Sequence, residues 1–154
     1  RYKYQFARVS PSKVGNGVKA MLPTTDLPAY PSEEAVMSAV AEELLKLLFP
    51  VSADEITAMA AEQRNVALWS GKAVASDVEA GTALGKAIAA QFIDRARNDG
   101  MRNSIGQPEQ WAAMASRVEA LGEVAWKSLD LPARPPMLPL FGECLPWLVS
   151  KAEL

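Results

Sequence analysis

Residues 32–48 have the sequence SEEAVMSAVAEELLKLL, and this stretch decides the fold class. Its larger apolar residues recur with the period of an α-helix and share one face: Val36, Val40, Leu44, Leu47 and Leu48. Ser32 stands where a helix N-cap stands, and Glu33 and Glu34 complement the helix dipole in the first turn. Pro50 ends the pattern. The stretch therefore predicts an amphipathic helix.

Two further helices are predicted by capping-box patterns, in which a serine precedes a glutamate by three positions. Ser52 pairs in this way with Glu55, and Ser76 pairs with Glu79. We expect the helix that follows Ser76 to bury one set of residues: Val78, Gly81, Leu84, Gly85, Ile88 and Phe92. Its small residues form a narrow strip on which another helix can lie closely: Gly81, Gly85 and Ala89.

A fourth helix is predicted from Pro108, a residue suited to a first helical position, to Leu129. The chain on either side of the four helices is rich in proline and predicts long loops, and no strand pattern or internal repeat occurs. The sequence therefore predicts an all-α helical bundle. We expect one domain of 154 residues, with a loop-rich segment 1–31, a helical core 32–129 and a Pro-rich tail 130–154.

Composition excludes several functional classes. Sixteen basic and eighteen acidic residues give no basic footprint for nucleic acid, which is not an expected partner. No apolar run is long enough for a membrane span. The chain has no histidine, and its single cysteine is Cys144, so catalytic triads and common zinc sites are excluded and no metal is expected. No targeting pattern assigns a compartment.

Three groups of polar residues are candidates for a site, each with a simpler alternative. Arg1 and Arg8 are seven residues apart and on a helix would share a face that could hold an anion, although this stretch taken alone favours a solvated fringe. Glu33 and Glu34 could act in acid–base chemistry, but neighbours on a helix point about 100° apart, which favours capping. Asp77 has the same capping alternative.

Taken together, these segments resemble the superfamily of vanadium-dependent haloperoxidases and type 2 phosphatidic acid phosphatases, which has a helical-bundle fold. Residues 1–9 resemble its first motif, a lysine followed at a distance by Arg-Pro, with Arg1 at the lysine, Arg8 at the arginine and Val9 at the proline. Residues 27–35, LPAYPSEEA, are similar to its second motif, in which Pro-Ser-Gly-His opens a core helix.

The third motif of the superfamily has an arginine before a histidine that is followed by an aspartate. Residues 67–77 are similar to it, with Ala67 at the arginine, Ala73 at the histidine and Asp77 at the aspartate. The resemblance covers roughly residues 1–100 in order, which is more specific than any single motif.

The departures from these motifs bear on function. In the superfamily the third-motif histidine attacks phosphorus or ligates vanadate, and the second-motif histidine handles protons. Here Ala73 and Glu34 stand at those positions, and Glu33 replaces the motif glycine. The resemblance then leaves a partial anion cradle, which consists of Arg1, Arg8, Ser32 and Lys72. Phosphate or vanadate is expected only if this cradle survives, and no other cofactor is expected.

The resemblance implies a catalytically degenerate domain with a binding or scaffolding role, in which the glutamates pair internally with the arginines. One alternative is an altered phosphatase-like hydrolase, in which Glu34 is the general base and Arg1 and Arg8 hold the oxyanion, with Asp77 as a further catalytic candidate. Another is a structural subunit of a helical assembly. Because the superfamily has helices upstream of its first motif, we expect an upstream segment or a second subunit to complete the bundle.

Overall fold

A computed structural model describes residues 2–15 and 17–150 of the chain. Its helices are α1 (Tyr2–Phe6), α2 (Glu33–Leu48), α3 (Ala53–Trp69), α4 (Ala75–Asn98) and α5 (Pro108–Ala120). Short 3₁₀ turns occur at Pro11–Lys13, Pro50–Ser52, Met101–Asn103 and Phe141–Glu143. No strand occurs in these described ranges. The predicted all-α helical fold is confirmed.

The chain divides into two compact units, the first ending at Ile93 and the second beginning at Asp94. The first unit holds α2, α3 and most of α4, and the second holds α5 and the Pro-rich tail. The expectation of one domain stays a prediction. No helix in the described part of the chain is both long enough and apolar enough to cross a membrane.

Helix α2 begins as its sequence predicts. The Ser32 hydroxyl accepts a hydrogen bond from the Ala35 amide at 3.3 Å, which satisfies one of the free amides of the first turn. Glu33 and Glu34 follow in that turn and complement the helix dipole. The helix ends at Leu48, just before Pro50. The predicted cap and helix are therefore confirmed.

Helix α4 packs on α2 through the predicted strip of small residues. A Cβ atom on Gly81 would lie 2.5 Å from the Ser32 carbonyl oxygen, and one on Gly85 would lie 2.5 Å from the Val36 carbonyl oxygen. Ala35 and Ala39 of α2 meet the same strip. The two helices approach so closely that only glycine fits at these positions.

Polar side chains join α2 to α3. The Ser38 hydroxyl donates to the Ala60 carbonyl oxygen at 2.8 Å, and Arg64 Nη1 donates to Glu42 Oε2 at 2.7 Å. Glu42 is almost fully buried. Burial raises the pKa of Glu42, but Arg64 outweighs it, with smaller help from Lys46 and Lys86, so the pKa lies below its ordinary value. The carboxylate therefore stays charged and holds the two helices together.

The core consists of small residues. Among the described residues, the buried apolar ones other than glycine and Pro31 are all alanines: Ala29, Ala35, Ala39, Ala60, Ala67, Ala73, Ala89 and Ala125. The expectation that α4 buries Phe92 is wrong, because this ring is 47% exposed. Gly81 and Gly85 are buried as predicted, since the close approach of α2 leaves room for small residues only.

Three predicted helix ends need correction. Ser52 is the N-cap of α3, but its side chain makes no capping bond, so the predicted box with Glu55 does not form. Helix α4 begins at Ala75, and Asp77 rather than Glu79 caps it, because the Asp77 carboxylate accepts from the Val74 amide at 2.9 Å. Helix α5 ends at Ala120, short of the predicted Leu129, at a turn in which Gly122 has φ +78°.

The second unit is tied together by backbone and side-chain hydrogen bonds. Trp111 Nε1 donates to the Ile105 carbonyl oxygen at 2.6 Å, and the Leu140 amide donates to the Ser104 carbonyl oxygen at 2.9 Å. The guanidinium of Arg95 lies 4.1 Å from the centre of the Trp147 ring. The Pro-rich tail therefore lies against the helices of its own unit through specific contacts.

Candidate functional site

The site begins with Arg8, which follows the short helix α1. Ala7 adopts φ +46°, so the chain leaves the helix before Arg8. The guanidinium lies 4.5 Å from the centre of the Tyr30 ring, and the ring of Phe6 makes a T-shaped contact with that same ring. From there Arg8 Nη1 donates to Asp77 Oδ1 at 2.6 Å and to the Ser76 hydroxyl at 2.7 Å.

Asp77 connects the starts of two helices. Its side chain is fully buried, with one carboxylate oxygen on Arg8 and the other on the Val74 amide. Its backbone carbonyl oxygen accepts from the Ser32 amide at 2.9 Å. Because both carboxylate oxygens are engaged, Asp77 acts here as a cap and a counter-ion.

Glu34 pairs with Lys72. The Lys72 ammonium donates to Glu34 Oε1, and the Ser32 hydroxyl donates to Glu34 Oε2 at 3.3 Å. Burial raises the pKa of Glu34, but the bonds from Lys72, from its own amide and from Ser32 outweigh burial. The pKa of Glu34 therefore lies below its ordinary value of 4.5, and the carboxylate is charged at neutral pH.

A tight turn after α3 presents Lys72 to Glu34. Gly71 adopts φ +71°, a conformation that favours glycine, and a Cβ atom there would lie 3.1 Å from the Val18 side chain. The amides of Lys72 and Ala73 both donate to the Ala67 carbonyl oxygen, at 3.2 and 3.1 Å. Ala67 and Ala73 are both buried, so at each of these motif positions the side chain is a buried methyl group.

Lys3 closes the site from the side of α1. Its ammonium donates to the Pro28 carbonyl oxygen at 2.7 Å and lies 3.8 Å from Glu33 Oε1. Glu33 is about half exposed, so this ion pair is weak in energy. The hydrogen bond to Pro28 is what fixes the Lys3 side chain.

These groups surround a small polar cleft with a volume of about 40 Å³. Its walls include Lys3, Ser10, Ser32, Glu34, Lys72 and Ala73. The Ser10 hydroxyl is buried and has no hydrogen-bond partner among the described residues. Since one water needs at least roughly 10–15 Å³, the cleft has room for a few water molecules or one small polar group.

The structure brings most of the predicted site residues together. Ser32, Glu33, Glu34, Lys72 and Ala73 line the cleft. The Arg8–Asp77 pair joins this group through the Ser32 amide. The candidate Arg1 lies outside the described residues. Whether these residues serve as a catalytic or anion-binding set stays a prediction.

The pairing differs from the expected one. The glutamates were expected to pair with arginines, but Arg8 binds Asp77, and Glu34 binds Lys72. Sequence reasoning did not select Lys3, Ser10 or Ser76 for the site. Lys3 had a visible signal, since it belongs to the basic N-terminal stretch, and Ser76 had one as a predicted capping residue beside Asp77, whereas Ser10 had none.

The arrangement limits the available chemistry. Within the described part of the chain, no group of three or more His, Cys, Asp or Glu residues is placed to hold a metal ion. The ammonium of Lys72 and the guanidinium of Arg8 each already have a carboxylate partner. An incoming anion would therefore have to compete with internal carboxylates for both cations.

Comparisons with known proteins identify no relative of this chain. Neither a family model, nor a curated protein, nor a solved structure matches this chain. The likeness to haloperoxidases and phosphatases therefore remains a resemblance carried by the motifs alone, and the function is argued from the geometry of the site.

Proposed function

We propose that this chain is a catalytically degenerate domain of haloperoxidase or phosphatase type, with a binding or scaffolding role. The observation that carries the proposal is the internal pairing of the two cations at the site. Arg8 is paired with the buried carboxylate of Asp77, and Lys72 is paired with Glu34. These residues hold the ends of α2 and α4 and the turn after α3 in one arrangement.

Internal pairing opposes the binding of an oxyanion. A phosphate at the cleft would lie beside the charged carboxylates of Glu33 and Glu34, and like charges at short range repel strongly where water is scarce. Breaking the Arg8–Asp77 pair would also leave a fully buried carboxylate without its partner. Arg8 and Lys72, which the resemblance expects to bind an anion, are here paired with the carboxylates of Asp77 and Glu34.

The lack of a nucleophile supports the same proposal. Ala73 stands where the resemblance expects the attacking histidine, and its methyl group is buried in the wall of the cleft. A methyl group cannot attack phosphorus, so a covalent phospho-enzyme has no acceptor at that position. The hydroxyls in the cleft wall belong to Ser10, Thr24, Thr25 and Ser32, and the sequence has no histidine to activate any of them.

Isothermal titration calorimetry with inorganic phosphate and with orthovanadate tests this proposal. We expect no saturable heat with the wild-type chain. Saturable heat that disappears in both Arg8→Ala and Lys72→Ala would show a working anion cradle and would overturn the proposal. An exposed cation of the second unit supplies the control variant, Arg134→Ala, which should not change the result.

A second candidate function is an altered hydrolase, and the cleft beside Glu34 is the observation that favours it. Glu34 is charged at neutral pH and lines a space large enough for water. The Ser10 hydroxyl, which has no hydrogen-bond partner among the described residues, lines the same space. In this alternative Glu34 removes a proton from water while Arg8 and Lys72 hold an anionic substrate.

An assay with a generic aryl phosphate separates the two functions. The altered hydrolase requires turnover that falls by about a hundredfold or more in Glu34→Gln. Glu62→Gln, on the exposed side of α3, is the matched control and should leave turnover unchanged. Absence of turnover in the wild type supports the degenerate domain. Turnover at the same rate in the wild type and in Glu34→Gln would show that Glu34 has no part in the reaction.

A further inference from the structure

After its first turn, helix α2 has its charged residues toward the inside and most of its large apolar residues on the outside. The face toward α3 and α4 holds Ala35, Ser38, Ala39 and Glu42, all buried. At about 100° per residue, the opposite side carries Met37, Val40, Leu44, Leu47 and Leu48, which we call the outer face of α2. An ordinary helix on the surface of a soluble protein shows the reverse arrangement.

From Met37 to Leu48 the outer face carries no charged residue, and both of its ends are exposed. Glu33 lies one turn before Met37 on the same side and marks the limit of this uncharged stretch. Met37 is 67% exposed and Leu48 is 66% exposed, and the apolar surface continues over Phe49 and Val51 beyond the helix end. The later charged residues of α2 lie toward its inner side, where they pair with other residues: Glu42 with Arg64, and Glu43 with Lys46 and Lys86. The face is therefore a continuous apolar stripe.

The shape of the stripe indicates what can cover it. Its residues recur at helical spacing over about three turns, so the complementary surface is another helix whose side chains fill the grooves between them. The exposed parts of these side chains amount to several hundred Å², the size of patches that mark protein–protein contacts. A standard interface buries about 800 Å² on each partner, so this stripe supplies a large share of one.

The absence of charge indicates the kind of partner. A two-fold axis places identical surfaces against each other, so a charged patch would meet its own charge, whereas an uncharged stripe meets no such repulsion. In an antiparallel pair of α2 helices with the axis near residues 41–44, Met37 faces the partner's Leu48. The small side chain of Ala41 then faces the partner's Leu44.

We propose that the outer face of α2 is a dimerisation surface, and that its occupant is the same face of a second copy of this chain. The inference uses none of the residues of the polar cleft, so it stands or falls separately from the proposed function. Dimerisation would bury the large apolar residues that the alanine core of the first unit leaves outside.

Sedimentation equilibrium of the full chain over a range of concentrations tests the proposal. We expect a reversible dimer in the wild type and at least about a tenfold higher dissociation constant in Met37→Lys, because a charge is then buried against an apolar face. Met21→Lys is the matched control, since Met21 is 80% exposed on a loop outside α2, and this variant should dimerise like the wild type.

A charge-pair variant distinguishes dimer loss from misfolding. In Met37→Lys combined with Leu48→Glu, the antiparallel arrangement places each lysine opposite the partner's new glutamate, so dimerisation should recover relative to either single variant. Circular dichroism of each variant reports whether the helices remain. A folded wild-type chain that is monomeric at all concentrations overturns the proposal. A dimer whose dissociation constant is unchanged by both substitutions also overturns it.

Discussion

Ser32 makes three hydrogen bonds, two through its hydroxyl and one through its backbone amide. Its hydroxyl accepts from the Ala35 amide and donates to Glu34, while its own amide donates to the Asp77 carbonyl oxygen. The position of Ser32 before an apolar run predicts the first of these bonds. The bond to Glu34 is also local, but the bond to Asp77 joins residues that are far apart in the sequence, and no local pattern contains that information.

Ser32→Ala should lower the free energy of unfolding by about 1–2 kcal/mol, because a buried capping oxygen is removed and Glu34 loses a donor. Urea unfolding followed by circular dichroism measures the change. Ser52→Ala is the matched control, since Ser52 is the N-cap of α3 but its side chain makes no capping bond. Equal losses in the two variants would contradict the assigned role of Ser32.

Glu34 should make the chain sensitive to acid. Its pKa in the folded chain lies below the ordinary 4.5, so its bond with Lys72 stabilises the fold fully above that pH. This contribution is lost as the pH falls below 4.5 and through the lower pKa of the folded chain.

In Glu34→Gln the unfolding free energy should therefore fall less steeply over this acidic range than in the wild type. Urea unfolding at a series of pH values measures both slopes. Part of the slope should remain, because the pKa of Glu42 is also lowered. An unchanged slope in Glu34→Gln would show that the Lys72 pair contributes nothing to acid sensitivity.

At the scale of elements, the sequence predicts the existence of the helices better than their orientation. The 3.6-residue period identifies which residues of α2 share a face, but it does not say which face meets a neighbour. In this chain the small-residue face of α2 packs against Gly81 and Gly85, because backbones with small side chains can approach most closely. The strip on α4 is visible in the sequence, whereas its effect on α2 is not.

Gly85→Ala should lower the free energy of unfolding by about 1–3 kcal/mol, even though alanine favours a helix more than glycine does. The new methyl group would lie 2.5 Å from the Val36 carbonyl oxygen, a backbone atom that cannot rotate away. Thermal unfolding measures the loss. Gly142→Ala is the control, because a Cβ atom there has no neighbour within 4 Å. A stabilised Gly85→Ala variant would contradict the close packing of α2 and α4.

For the whole molecule, the motifs predict which residues gather but not how they pair. Ser32, Glu34, Lys72 and Ala73 are found around one cleft, as their order along the chain suggested. The partner of Glu34 is Lys72, 38 positions away, and that choice depends on the turn at Gly71. Sequence periodicity carries no information on such long-range pairs, so the charge state of the cleft could be argued only from the structure.

The proposed dimer gives the whole molecule a concentration-dependent stability. Association stabilises the folded state by mass action, so the melting temperature should rise with protein concentration in the wild type. Met37→Lys should weaken that dependence or shift it to higher concentration, and Met21→Lys should keep it. Differential scanning calorimetry at several concentrations measures this. A wild-type melting temperature that is independent of concentration would contradict the dimer.

The alanine core also has a consequence for heat capacity. Unfolding raises the heat capacity in proportion to the apolar surface that becomes exposed, and buried alanines offer little of it. A monomer of this chain should therefore unfold with a small heat-capacity increment and a flat stability curve. If the outer faces of α2 meet in the dimer, unfolding of the wild type also exposes the apolar surface of that interface. The wild type should then show a larger heat-capacity increment than Met37→Lys. Burial at the interface, rather than in the core, would then set much of the temperature dependence of stability.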